Sequence, residues 1–261
     1  MKKIIITLFL CLIVLQSKAQ DKSLFEKEIF SHKGMSLPYR ILYPQNYDHT
    51  KQYPLLLFLH GAGERGNDNE SQLIHGTSFF IENNYYEAQF PAIVIAPQCP
   101  QDTYWANIDR KTQDGKAHFQ FTSPKQATPP LEAVIALTKE FIASGKINKK
   151  QVYVGGLSMG GMGTLEILWR MPNTFAAAFP VCGGADLSKL SRYAKTNLGM
   201  WLFHGDVDGV VPVENSRRIY QTLKDLGADV RYTEYPGVDH NSWDYTFKEC
   251  TLMPWLFGHR K

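Results

Sequence analysis

Apolar positions along this chain alternate between two patterns. Tyr53 to Leu59 (YPLLLFL) and Ala92 to Ala96 (AIVIA) are continuous apolar runs, the signature of strands buried on both faces. Residues 24–31 and 37–43 read as two opening strands joined by the turn-like Lys33-Gly34. Further on the period lengthens. Pro129-Pro130 starts a helix running through about Ser144, with Leu131, Val134, Ile135, Leu137 and Ile142 as its apolar positions and Gly145 ending it. Gln151 to Gly155 predicts a short strand. Met159 to Met171 predicts a helix closed by Pro172. Phe175 to Val181 and Leu198 to Phe203 predict strands, and Glu214 to Leu226 an amphipathic helix with Gly227 as its C-terminal cap. Val230 to Tyr235 is the last predicted strand. Residues 243–257 predict a closing helix interrupted near Pro254. Residues 99–128 are polar and irregular, with Trp105 and Phe119 embedded, and connections of that length are often functional. Strand and helix alternating in this way predict an α/β fold, a mostly parallel central sheet with helices on both faces. There is no internal repeat, and no stretch is left over for a separate lid domain.

The first residues stand outside that pattern. Met1-Lys2-Lys3 is basic, Ile4 to Leu15 is apolar apart from Thr7, and Ser17 and Ala19 are the small residues a signal peptidase reads. The expectation is a signal peptide over residues 1–19, cleaved after Ala19, and a single catalytic domain over residues 20–261. The apolar run is shorter than the roughly 20 residues a membrane span needs, so no membrane association is expected after cleavage. The mature protein is expected in the periplasm or outside the cell.

Composition adds little to this and charge removes one class. Hydrophobic residues make up 44% and charged residues 20%, ample for a buried core. The chain carries +3, but a mature form would lose Lys2, Lys3 and Lys18 and be formally neutral. No basic cluster interleaved with aromatics marks a nucleic-acid surface. Of four cysteines, Cys99, Cys182 and Cys250 stay with the mature chain. Their odd number allows at most one bridge, and no spacing suits zinc.

The chemistry concentrates in four short segments. Gly156-Leu157-Ser158-Met159-Gly160 is a G-x-S-x-G sequence between a predicted strand and a predicted helix. A turn that sharp lifts the serine hydroxyl above the sheet at the start of the helix, and Met159 N–H faces a developing oxyanion. Serine needs a base. His204, His240 and His259 lie downstream. His240, just after the last strand, is the expected base, with His204 bracing the acid loop or packing and His259 in the tail. Asp208, two residues beyond Asp206, is the expected acid, and Asp206 the holder of the turn. Asp239 is too close in sequence to His240 to orient it. His60-Gly61-Ala62-Gly63 supplies the second oxyanion donor, Ala62 N–H before Gly63. Gln98, Trp105 and Trp243, with Tyr104, are candidates for the substrate cleft, where an aromatic wall would suit a sugar or a phenolic acyl group. No metal or organic cofactor is needed for such chemistry.

The segments LHGAGERG (59–66), GGLSMGGMGT (155–164), FHGDVDGVVP (203–212) and YPGVDHNSW (235–243) resemble the α/β-hydrolase superfamily. Within it they resemble secreted bacterial esterases grouped with carbohydrate esterase family 1, polyhydroxybutyrate-depolymerase-like esterases and "predicted peptidases". The resemblance runs from about residue 35 onward. It implies an α/β-hydrolase fold, a triad of Ser158, Asp208 and His240, and oxyanion donors at Ala62 and Met159. It also implies a carboxylic ester as the substrate partner, including acetyl or feruloyl decorations of plant polysaccharide. A serine peptidase of prolyl-oligopeptidase-like type and a non-catalytic binding protein on a hydrolase fold are the two alternatives.

Overall fold

The computed structural model of the protein describes residues 22–81, 88–113 and 116–261. The leader expected over residues 1–19 lies outside them. No helix among the described residues is long and apolar enough to cross a membrane.

Ten strands are present among the described residues: β1 (Glu26–His32), β2 (Met35–Leu42), β3 (Tyr53–Leu59), β4 (Ile93–Pro97), β5 (Ile108–Gln113), β6 (Lys116–Phe121), β7 (Ile147–Leu157), β8 (Ala177–Val181), β9 (Gly199–Gly205) and β10 (Val230–Tyr235). Eight form one sheet in the order β1-β2-β4-β3-β7-β8-β9-β10. β1, β2 and β4 are antiparallel neighbours, and the rest of the sheet is parallel. β3 shows why a continuous apolar run was required. Leu55, Leu57 and Leu59 enter one core cluster, whereas Leu56 and Phe58 enter another. A two-residue period sends alternate side chains to opposite faces, so both faces of β3 are interior.

Helices cover both faces. Pro129–Ala143, Met159–Arg170 and Glu214–Asp225 contribute Leu131, Val134, Leu165, Leu168, Ile219 and Leu223 to the first cluster. Leu252–Gly258 contributes Leu252, Met253, Trp255 and Leu256 to the second. The helix at Pro129 begins where expected, with the Thr128 hydroxyl accepting from Leu131 N–H and prolines at its first two positions, where a missing N–H costs nothing.

Three expectations change. β7 spans eleven residues instead of five. Its first part is the polar Asn148-Lys149-Lys150, which hides a strand from any hydrophobic pattern. A register shift between Tyr53 and Leu55 of β3 accommodates those residues. The segment 99–128 is not irregular throughout, for β5 and β6 pair as an antiparallel hairpin from Ile108↔Phe121 to Gln113↔Lys116. Asp114-Gly115 between the arms is a strong hairpin signal in the sequence. The closing helix is two helices, Trp243–Thr246 and Leu252–Gly258. The break precedes Pro254, which sits in the first turn of the second helix, the position proline tolerates.

Candidate active site

The carboxyl ends of β3, β7, β9 and β10 open on one side of the sheet, the place where α/β proteins assemble their sites. Each strand there delivers one of the four segments singled out in the sequence.

At the end of β7, Ser158 has φ 54° and ψ −116°. Positive φ is unusual for a residue with a side chain and costs energy that the surroundings must supply. Two things hold it. Ser158 N–H donates to Val181 O of β8 at 2.9 Å. The helix that follows lies so close to β3 that a Cβ on Gly160 would come within 1.9 Å of Leu59 O. Only glycine permits that approach, and the approach fixes where the serine points.

Ser158 Oγ lies 2.9 Å from His240 Nε2, and His240 Nδ1 lies 2.8 Å from Asp208 Oδ2. Asp208 accepts only, so Nδ1 carries the imidazole proton and Nε2 is left to accept from the serine hydroxyl. The Asp208 side chain has no exposed surface. Burial alone would raise its pKa, but hydrogen bonds from His204 and His240 and the Val211 N–H outweigh it and hold the carboxyl well below the usual range. Its second oxygen accepts from Val210 and Val211 N–H, both at 2.8 Å.

The neighbouring polar residues fasten this loop pair. His204 is fully buried. Its Nε2 faces two acceptors, Val211 O at 2.9 Å and Asp208 Oδ2 at 3.2 Å, while Nδ1 meets the Ser216 hydroxyl at 2.7 Å. Asp206 accepts from Gly237 N–H at 2.6 Å. Asp239 accepts from Gly209 N–H and from His240 N–H, both at 2.8 Å. Neither aspartate contacts the imidazole of His240 within hydrogen-bond distance.

After β3, a single 3-10 turn spans Ala62–Glu64. Ala62, Gly63 and Met159 line the cleft beside Ser158 and His240. Ala62 N–H and Met159 N–H each stand at the start of a helical turn, where backbone donors have no intrahelical acceptor. His60 is buried, its Nε2 accepting from Cys99 N–H at 2.9 Å and its Nδ1 2.6 Å from Gly61 O. Burial pushes its pKa down to about 4, with the Gly61 carbonyl opposing the shift in part, so the ring is a neutral strut under the loop.

Two residues expected along the cleft are elsewhere. Gln98 is fully buried. Its oxygen accepts from Asn69 N–H at 2.7 Å and its amide donates to Glu64 O and Asp68 Oδ1, which clamps the segment after Gly63. Trp105 is also fully buried and donates from Nε1 to His60 O at 3.1 Å. Both are side chains with polar ends, and groups of the segment His60–Asn69, mostly backbone, claimed them. Trp243 does line the cleft, set edge-on to His240 with ring centroids 5.4 Å apart.

The cleft has a volume of about 340 Å³. Besides the segments named, its walls include Tyr104, Met162, Val210 and Val211, with His75, Arg110 and Phe119. His75 and Arg110 went unnoticed in the sequence, and Phe119 was noted there only as an aromatic embedded in the segment 99–128. His75 lies tilted against Trp243, ring centroids 5.4 Å apart, and no motif flags it. Arg110 and Phe119 come from the hairpin, and the Asp-Gly dipeptide in the sequence was the signal that would have found them. Glu64 sits at the base, its Oε2 without a hydrogen-bond partner among the described residues. Burial raises its pKa, the nearby His75 opposing.

Cys182, Asp208 and His240 place one donor atom each within 4.8 Å of one another, so they are the group to test for metal binding. The donors are committed otherwise. Both Asp208 oxygens accept hydrogen bonds, His240 Nδ1 carries a proton toward Asp208, and burial pushes the Cys182 thiol pKa up, away from the thiolate a metal requires. Cys99 and Cys182 are buried free thiols.

The chain matches the phospholipase/carboxylesterase family over residues 46–251. Carboxylesterase SOBER1 of Arabidopsis thaliana is 29% identical over 195 residues, 71% of this chain and 82% of that protein. A thermostable esterase of known structure is 36% identical with a TM-score of 0.80, covering 92% of this chain and 64% of that one. A probable dipeptidyl-peptidase 5 of Aspergillus niger is 24% identical over 242 residues, 83% of this chain but 32% of that protein. The chain thus spans somewhat under two thirds of the esterase and about a third of the peptidase.

Proposed function

Since the chain belongs to the phospholipase/carboxylesterase family of α/β hydrolases, we propose that it is a serine esterase, exported by its first 19 residues, that cleaves carboxylic esters through an acyl-enzyme. The observation that carries the proposal is the relay Ser158–His240–Asp208, at 2.9 and 2.8 Å, opening into an apolar cleft.

In this reading His240 Nε2 takes the hydroxyl proton as Ser158 Oγ attacks the carbonyl carbon. The tetrahedral oxyanion is held by Ala62 and Met159 N–H, and one such donor contributes about 3 kcal/mol in comparable sites. Asp208 keeps the imidazole in the tautomer that accepts and stabilises the imidazolium that forms. The imidazolium then gives its proton to the departing alcohol oxygen. Water enters, His240 takes its proton, and attack on the acyl carbon releases the acid and restores Ser158.

Tyr104, Phe119 and Trp243 along the cleft support an aromatic or sugar-linked ester, such as an acetyl or feruloyl decoration of plant polysaccharide. The likeness to a dipeptidyl-peptidase supports a second reading, a peptidase with the same relay. Parallel assays on p-nitrophenyl acetate, methyl ferulate, acetylated xylan and aminoacyl p-nitroanilides separate the two. Ester cleavage that falls by four to six orders of magnitude in Ser158→Ala is expected, on the order seen for loss of a triad nucleophile. Full activity in that variant, or turnover of the anilides alone, overturns the esterase reading.

A further inference from the structure

The hairpin that walls the cleft carries an exposed cation at the cleft edge, Arg110, that the described residues leave without a protein partner. With Ile108 paired to Phe121 and Arg110 to Phe119, two-residue alternation puts these four residues on one face. Asp109, Lys111, His118 and Gln120 fall on the other. That outer face is polar, and Asp109 pairs with Lys111 at 3.5 Å. The inner face is apolar where it meets the body: Ile108, Phe119 and Phe121 pack around Ala106, Met162 and Val211.

Arg110 is the exception on that inner face. It lines the cleft together with Ser158 and His240. Among the described residues no carboxylate pairs with it and no acceptor takes a hydrogen bond from it. The other arginine nearby is committed: Arg65 donates to Ala62 O at 2.9 Å and Thr103 O at 3.2 Å, and lies over the Tyr104 ring at 4.8 Å. The carboxyl at the base of the cleft, Glu64, faces His75 at 3.8 Å. A guanidinium beside apolar walls offers a planar fork of donors that matches a carboxylate.

We propose that Arg110 is a specificity residue for a carboxylate on the substrate, so that the preferred esters carry an anionic group beyond the scissile bond. The inference rests on the esterase reading of the same cleft. Two sources share this chemistry, a half-ester of a dicarboxylic acid on the acyl side and a carboxylate-bearing alcohol on the leaving side.

The test compares kcat/KM for charged and neutral esters of matched length. The acyl arm uses p-nitrophenyl half-esters of succinate, glutarate and adipate against p-nitrophenyl alkanoates, and the leaving-group arm uses 4-acetoxybenzoate against its methyl ester. We expect a preference of tenfold or more for the charged ester in one arm, the arm identifying the source. Arg110→Gln should shrink that preference to within twofold, the charged ester losing several-fold more kcat/KM than its neutral counterpart. Arg110→Lys should keep part of it. Absence of a charge preference in both arms overturns the proposal, as does an equal fall for charged and neutral esters in Arg110→Gln. If no ester in either arm is turned over, the esterase reading fails by itself. Calorimetry on Ser158→Ala with 4-acetoxybenzoate, methyl hydrogen glutarate and their neutral counterparts then decides the carboxylate question. Tenfold tighter binding of the charged member that vanishes in Arg110→Gln upholds it, and equal or undetectable binding overturns it.

Discussion

The loops after β9 and β10 and the hairpin of β5 and β6 reach the same cleft by opposite means. In the loops every aspartate crosslinks backbone: Asp206 to Gly237, Asp208 to Val210 and Val211, Asp239 to Gly209 and His240. His204 closes the network from beneath. The hairpin bonds chiefly to itself. Its described contacts with the body are apolar, through Ile108, Phe119 and Phe121, and at its base Asn107 is held by Glu166 at 2.6 and 2.7 Å. Proton transfer needs donors and acceptors within a few tenths of an ångström, so charge-assisted hydrogen bonds anchor them. A substrate wall needs area and a few directional groups. Side chains there can change without disturbing the relay, which is why specificity tends to reside on such segments.

If that contrast is right, perturbing the loops should stop chemistry and perturbing the hairpin should only redirect it. The largest effect is expected for Asp208→Asn. An amide in place of the carboxylate removes the acceptor that sets the His240 tautomer, and kcat on p-nitrophenyl acetate should fall by on the order of 10⁴. A fall of less than tenfold would mean that Asp206 or Asp239 can orient the imidazole instead, against their present bonding to backbone.

Second in size is an effect of pH on stability, carried by His60, the strut under the loop that follows β3. Burial lowers the His60 pKa from 6.5 to about 4, so the unfolded chain takes up the proton before the folded one does. Stability is therefore full above pH 6.5 and drains away as pH falls from 6.5 toward 4. The loss over that range is about 3 kcal/mol, because each tenfold difference in proton affinity between the folded and unfolded chain is worth about 1.4 kcal/mol. Asp208 adds to acid sensitivity only below the ordinary carboxylate range, because its folded pKa is depressed. Urea unfolding of wild type between pH 7 and 4 measures the loss. An NMR titration placing His60 near 6.5 in the folded protein would remove its cause.

The smallest effect belongs to the hairpin. Phe119→Ala should raise KM for methyl ferulate several-fold and leave kcat for p-nitrophenyl acetate within about twofold, with little change in Tm, since Phe119 is half-buried at the cleft edge. A kcat loss for the small ester comparable to that for the large one would show that the hairpin supports the relay after all.

Much of the scaffold could be read from the order of residues alone. β3 and β10 span the residues expected for them, Tyr53–Leu59 and Val230–Tyr235, and the helices at Pro129, Met159 and Glu214 start where they were expected, because strand and helix periods and capping are local properties. The members of the candidate relay could be named for the same reason: each follows a strand, in a chain order tied to the fold. What lay out of reach were relations between distant segments. Gln98 and Trp105 read as cleft residues until the fold set carbonyls and N–H groups of the 60s loop against them. Arg110 and His75 went unnoticed in the sequence, and only the hairpin register and a tilted ring contact with Trp243 place them along the cleft that Ser158 lines. A pattern along the chain reports how apolar a position must be. Which partner a buried polar group finds, and which cation is left facing an open cleft, depends on segments far apart in sequence meeting in space, and that is settled only by the folded arrangement.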